Sequence, residues 1–403
     1  MKRCESLQKL ILRRLLLYGR TTRPELVALT GSRAATVFEA IDALKASGLV
    51  IEPERRGKKT GRRAPELECN RKCARFLGVE LRADGVTGVV TDSCGDTLEQ
   101  YEARPAVPRR NLDDTRGEIA RCIAELRRRI GGDWQLLKGV GFADPGTVDV
   151  GRGISLHAAD IPGWENFAAA EWLAGECGVP AGVWPGRMVK TRMEYVSRLP
   201  DTPESLFLLV TDGGIGGGFI KDGSLFVGST FQAMEIGHIV IDRNGPPCSC
   251  GSRGCLEAVV GTQGILEMVR AARRNGIDTE LCEADFSIRR FVECSHRDKA
   301  ARIIAGKVAE SIGEALASAV AILNPATIVM SGELTGIGDL LLEAVRRSLE
   351  VNCLAGAVRR LKLEISTLEP GDTARGAAMM IRDRVWGIDG PHAIAKHKTG
   401  AKI

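Results

Sequence analysis

His238, Cys248, Cys250 and Cys255 fall in one short stretch, and their types point to a metal ion. The stretch reads Glu235-Ile-Gly-His238-Ile-Val-Ile-Asp-Arg-Asn-Gly-Pro-Pro-Cys248-Ser-Cys250-Gly-Ser-Arg-Gly-Cys255-Leu-Glu257. Thiolates and imidazole are the ligands that Zn²⁺ prefers, and three Cys with one His make a closed tetrahedral shell. A closed shell leaves no position for water, so the zinc expected here is structural. Glycines and prolines between the ligands let the chain wrap tightly. Copper or an iron–sulfur cluster suits a lone site with one His less well. The alternative is three reduced cysteines in a turn-rich loop.

A second concentration of chemistry is Arg55-Arg56-Gly-Lys58-Lys59-Thr-Gly-Arg62-Arg63, with six cations in nine residues. It belongs to a wider asymmetry. Residues 1–72 carry 17 Lys+Arg against 8 Asp+Glu, a balance of +9, while the remainder is −4 and the whole chain +5. A basic head on a mildly acidic body points to an anionic polymer as partner of the head alone.

The elements around that run fit this partner. Residues 5–18 have a helical apolar period through Leu7, Leu10, Ile11, Leu15 and Tyr18. Thr22 caps a short helix with Pro24 in its first turn. Thr30-Gly31 makes the turn, and Ser32 caps a third helix ending at Gly48. Helix, short helix, glycine turn and longer helix is the helix-turn-helix order. Leu49–Glu52 and Pro65–Glu68 read as two strands, with the basic run as the hairpin between them. The reading is a winged helix-turn-helix that binds double-stranded DNA. Ser32, Arg33, Thr36 and Glu39 would enter the major groove, and Lys58, Lys59, Arg62 and Arg63 would lie on phosphates or in the minor groove.

Gly-Glu-Ile-Gly-His followed by Cys-x-Cys-Gly-x-x-Gly-Cys-x-Glu resembles the ROK family of repressors and sugar kinases, with Met234 in place of the first glycine. The resemblance covers about residues 5–386. It implies an α/β body of two actin/hexokinase-like (ribonuclease H-like) lobes around a cleft. The expected division is a DNA-binding domain at 1–72, a first lobe at 73–192 joined by a C-terminal helix at 374–386, a second lobe at 193–373 carrying the zinc loop 238–255, and a polar tail at 387–403. In the family the zinc loop supports the sugar-binding wall. Glu235 and Glu257 correspond to its sugar-contacting carboxylates. Ala159-Asp160-Ile161-Pro162-Gly163-Trp164 matches the family's Asn-Leu-Pro-Gly-Trp, with Asp160 in place of the Asn. ROK repressors often carry Ser-Arg where this chain has Phe38-Glu39. A carboxylate there cannot contact phosphate but can accept from cytosine N4.

The family's kinase chemistry is replaced. Asp-x-Gly-Gly-Thr on the first hairpin becomes Glu80-Leu-Arg82-Ala83-Asp84-Gly85. The Asn-Asp pair that supplies the catalytic base becomes Pro185-Gly186, with His157 a weak substitute. The second phosphate segment becomes Asp212-Gly213-Gly214-Ile215-Gly216-Gly217-Gly218, and Ser331-Gly332-Glu333 replaces a run of three glycines. The expectation is therefore a non-enzymatic repressor of carbohydrate genes that senses a sugar through Asp160, Glu235 and Glu257. An active sugar kinase, or a DNA-binding dimer without an effector, are the alternatives. A homodimer or homotetramer is expected. With no run of 18 apolar residues and no signal core, a cytoplasmic protein is expected, with no membrane partner. The nine cysteines outside the loop, scattered singly among the twelve, agree with a reducing compartment.

Overall fold

A computed structural model describes residues 2–53, 64–105, 108–158 and 161–389. The chain parts into two compact units, Met1–Thr202 with Glu369–Ile403, and Pro203–Leu368.

The first unit opens with α1 (Lys2–Tyr18), β1 (Thr21–Thr22), α2 (Arg23–Thr30), α3 (Ala34–Ala46), β2 (Val50–Ile51) and β3 (Glu66–Cys69). A capping box starts α2: the Thr22 hydroxyl accepts the Glu25 N–H at 3.4 Å, and the Glu25 carboxylate accepts the Thr22 N–H at 2.8 Å. Gly31 ends α2 at φ 59°. One sequence expectation is corrected here. Arg33, not Ser32, holds the N-cap of α3, and no side chain caps it. The Ser32 hydroxyl is used inside the turn, donating to the Thr30 carbonyl at 3.5 Å. β1 joins β2 and β3 in a small sheet of order β1-β3-β2.

Leu7, Ile11, Leu15, Leu26, Ile41 and Leu67 close the core of this head, and Ile388 joins them. The sequence puts residue 388 in a polar tail. It is instead 4% exposed, and neighbouring Trp386 packs edge-on against Phe76 with ring centroids 5.4 Å apart. An apolar pair beside a helix end gains by burial wherever a core lies within reach.

The unit continues with β4 (Arg75–Arg82), β5 (Gly85–Asp92), β6 (Thr97–Ala103), α4 (Leu112–Ile130), β7 (Leu137–Asp144), β8 (Thr147–Asp149), β9 (Ile154–His157), β10 (Glu165–Phe167), α5 (Ala169–Cys177), β11 (Ala181–Pro185) and α6 (Gly186–Val196). The main sheet runs β11-β7-β4-β5-β6, antiparallel through the hairpins and parallel at β4, β7 and β11. The sequence puts the second lobe's start near Met193. That residue lies inside α6, and a Cβ on Gly376 would come within 2.5 Å of its side chain.

The second unit holds β12 (Ser205–Val210), β13 (Gly216–Lys221), β14 (Ser224–Leu225), α7 (Leu256–Val260), α8 (Thr262–Arg274), α9 (Ile288–Ser295), α10 (Lys299–Leu323), β15 (Thr327–Ser331), α11 (Asp339–Asn352), α12 (Ala355–Val358) and β16 (Lys362–Ile365). Its sheet runs β14-β13-β12-β15-β16. This repeats the first sheet's logic of an antiparallel hairpin followed by two parallel strands, the expected actin/hexokinase-like pattern. α10 is the spine of this core, burying Ile304, Val308, Ile312 and Leu316. Asp298 caps it, accepting the Ala301 N–H at 2.9 Å.

The chain then returns to the first unit with α13 (Asp372–Val385). This helix lies directly on β4 and β7. A Cβ on Gly78 would meet the Ala374 carbonyl at 1.7 Å, and one on Gly141 the Ala377 carbonyl at 1.9 Å. Only glycine in the strands and alanine on the helix permit that approach. No helix among the described residues is long and apolar enough to cross a membrane.

Candidate functional site

The second unit brings the four sequence-predicted ligands together. One donor atom from each of His238, Cys248, Cys250 and Cys255 lies within 4.8 Å of all the others. Cys248 Sγ is 3.6 Å from His238 Nδ1, and Cys250 Sγ is 3.7 Å from Cys255 Sγ. Backbone bonds shape the loop: the Cys248 N–H donates to Ser252 O at 2.8 Å, and the Gly254 N–H to Pro246 O at 2.8 Å. Gly254 stands at φ 65°, and a Cβ there would meet the Asp242 carbonyl at 1.4 Å. The two thiols differ in surroundings. The Ser252 N–H, and then Cys248, lower the Cys250 thiol's pKa, while burial pushes Cys255 up to about 11.

Cys255 is the N-cap residue of α7, so the loop fixes where that helix begins and where Glu257 stands. The Glu257 carboxylate accepts the Ile215 N–H at 2.8 Å. Glu235 is half-buried at the entry to a 3-10 turn, Ile236–His238. Met234 before it sits at φ 65°, the left-handed region that favours glycine. A methionine there costs on the order of 1–2 kcal/mol relative to a residue without that strain. Asp160 lies outside the described residues.

The ends of β12 and β15 carry carboxylates. A Cβ on Gly332 would lie 2.6 Å from Asp212 Oδ1 and 2.6 Å from Thr211 Oγ1, so the Asp212 side chain fills the space above that glycine. Glu333 is exposed beside it.

In the first unit, the turn between β4 and β5 is occupied by Arg82. Its guanidinium donates to Asp84 at 3.0 Å, Thr87 at 2.7 Å and Glu102 at 2.9 Å. From below, Arg109 donates to the carbonyls of Arg82 at 2.5 Å and Ala83 at 3.2 Å. Arg109 is itself held by Glu118 at 2.7 Å, and both side chains are buried. Sequence reasoning missed this pair.

It also missed Asp144, at the end of β7 and in register with Pro185. Its carboxylate accepts from Trp164 Nε1 at 2.8 Å and from the Gly146 N–H at 2.8 Å. Burial pushes its pKa up to about 6. One oxygen thus holds Trp164 in the 161–164 loop and the other holds the turn that follows β7. A lone carboxyl closing the apolar run of β7 was the available signal. His157 pairs with Glu165 at 3.6 Å on the surface.

On the head, Arg33 at the N-cap of α3 and Glu39 on that helix are exposed, and Ser32 and Thr36 are half-buried. Lys58, Lys59, Arg62 and Arg63 lie outside the described residues. Phe38, not among the sequence candidates, is 38% exposed on the same helix.

Comparison with known proteins follows the same division. The sequence profile described as "ROK family" matches residues 76–384. A glucokinase of Halalkalibacterium halodurans is 26% identical over 321 residues, covering 77% of this chain and 95% of that protein. A xylose repressor of Caldicellulosiruptor bescii is 23% identical over 376 residues, covering 90% of this chain and 92% of that protein. A crystal structure of a ROK family transcriptional regulator, described as a homolog of the E. coli MLC protein, superposes with a TM-score of 0.82 at 22% identity, covering 96% of this chain and 98% of that one.

Proposed function

Since the chain belongs to the ROK family, we propose that it is a DNA-binding transcriptional repressor of carbohydrate genes that responds to a sugar. The observation that carries this reading is the reach of the two kinds of match. The xylose repressor aligns over 90% of the chain, into the head, whereas the glucokinase aligns over 77%. Residues 1–72 are the proposed DNA-binding domain, with Ser32, Arg33, Thr36 and Glu39 toward bases. Lys58, Lys59, Arg62 and Arg63 would sit on the backbone. Such a protein works in the cytoplasm, and a homodimer or homotetramer supplies two half-sites. The test is binding of the full chain to genomic DNA fragments, scored for release by a panel of sugars. A chain that binds no duplex even at low salt sinks the reading.

Zinc is the proposed metal. Tetrahedral ligands at Zn–S about 2.3 Å and Zn–N about 2.0 Å stand about 3.5–3.8 Å apart, and the Cys248–His238 and Cys250–Cys255 donor separations, 3.6 and 3.7 Å, fit that spacing. Bound zinc supplies a cross-link within the loop. His238, Cys248, Cys250 and Cys255 would hold it. Glu235 and Glu257, next to the outer ligands, are the proposed contacts for sugar hydroxyls, together with Asp160. Sugar binding would shift DNA affinity by only as much as it distinguishes two states, typically about 1–3 kcal/mol.

The body is proposed to transfer no phosphoryl group. Arg82 fills the first phosphate turn, Gly186 offers no base, and Asp212 and Glu333 set negative charge where phosphate oxygens would have to approach. The glucokinase is as similar in sequence as the repressor, so ATP turnover with a sugar panel is the measurement that separates the two. Sugar-dependent ATP consumption overturns the assignment.

A further inference from the structure

The exposed face of α3 is unusual for a helix that meets DNA. Residues 35, 38, 39 and 42 fall at i, i+3, i+4 and i+7, so Ala35, Phe38, Glu39 and Asp42 form one exposed stripe. Val37, Ala40, Ile41 and Leu44 form the buried one. Phe38 remains 38% exposed although an apolar ring gains by leaving water. It is also held in place. The Arg23 guanidinium lies over the ring, 5.2 Å from its centroid, and donates to Asp42 at 2.8 Å and to Glu52 at 3.4 Å. Arg23 thus bridges two residues one turn apart on α3, covering one part of the ring and neutralising the Asp42 carboxylate.

What remains on the stripe is a methyl, a ring and an acceptor, with no donor. In the major groove thymine alone presents a methyl group, and cytosine N4 and adenine N6 present donors. Adenine sets its N7 acceptor beside N6, which repels a carboxylate; cytosine N4 has no acceptor beside it on its own base. Resting on the DNA-binding reading above, we infer that Phe38 is a specificity-determining residue that reads a thymine C5-methyl, with Glu39 taking the N4 amine of a cytosine close by. Successive helical residues are about 1.5 Å apart along the axis, so the two contacts fall within one or two base-pair steps of each other. Asp42, already paired with Arg23, presents little net charge to the backbone.

The experiment begins with selection of binding sites from a randomised duplex by the full-length chain. Each thymine of the selected site is then replaced singly by uracil, which removes only the methyl. Wild type is expected to lose about fourfold in affinity at one or two positions, the effect of uncovering one methyl group. Phe38→Ala should be indifferent to uracil at those positions while keeping any other preference, and Phe38→Leu should retain part of the discrimination. Glu39→Gln should move the neighbouring preference from cytosine toward adenine. A flat uracil scan in wild type, or an unchanged uracil penalty in Phe38→Ala, overturns the assignment while leaving the repressor reading intact. Failure to enrich any sequence, with no duplex bound at low salt, removes both.

Discussion

The Glu257 carboxylate, two residues beyond Cys255, accepts the Ile215 N–H at 2.8 Å. The His/Cys loop, the start of α7 and the glycine-rich strand β13 are therefore linked in turn: whatever fixes Cys255 fixes Glu257. Elemental analysis of protein purified without chelator should find about one zinc per chain, by the four-ligand rule. Cys255→Ser should lose it and also weaken any sugar response. Full metal content in Cys255→Ser would remove that residue from the site.

Asp144 makes stability depend on pH. Its pKa is about 6 in the folded chain and close to 3.9 when unfolded, as for an ordinary Asp. Between those values the folded state binds more protons, so this contribution is fully present below the lower value and lost as pH rises through about 6. The loss is on the order of 3 kcal/mol. Denaturation of wild type and Asp144→Asn at pH 4 and pH 7 measures it as a difference. A constant gap between the two proteins would show that Asp144 does not titrate in this range.

Arg109 and Glu118 form a buried pair under the β4–β5 turn. Removing one partner strands the other charge, so Glu118→Ala should cost about 3–5 kcal/mol. Replacing both by apolar residues should cost far less. Equal losses in the single and double variants would mean that packing, not charge, is at stake.

How much of this was legible follows from where each signal lives. The metal ligands, the cap at Thr22 and the apolar period of α1 are local patterns, and the chain shows them directly. The Ser32 cap fails because its hydroxyl turns back to the Thr30 carbonyl, leaving Arg33 at the N-cap. Asp144 with Trp164, Arg109 with Glu118, and Arg23 with Phe38 each join residues on different elements or loops. Composition cannot pair them. Met234 was visible as a departure from a glycine, but its positive φ was not.

Charge reversal at Lys58, Lys59, Arg62 and Arg63 should weaken binding to every duplex. For each phosphate that is no longer neutralised, the slope of log affinity against log salt should fall by about 0.9. Arg33→Ala and Thr36→Ala should instead change which sequences are preferred. An unaltered salt slope in the quadruple variant would take the basic run off the DNA backbone.

Ile388 in the head's core gives a further expectation. Ile388→Ala should destabilise the head by about 2–4 kcal/mol, the usual cost of such a truncation. Near-normal melting of α1–α3, followed by amide exchange, would show that its side chain is dispensable there.

That same residue sets an order of assembly. The head is made before the body, and domains generally fold as they emerge. Its apolar core nevertheless includes Ile388, which is made after the whole body. A nascent or prematurely terminated chain thus carries a head whose core is incomplete. Completion of the head's core is tied to synthesis of the body that lies between the head and Ile388 in the chain.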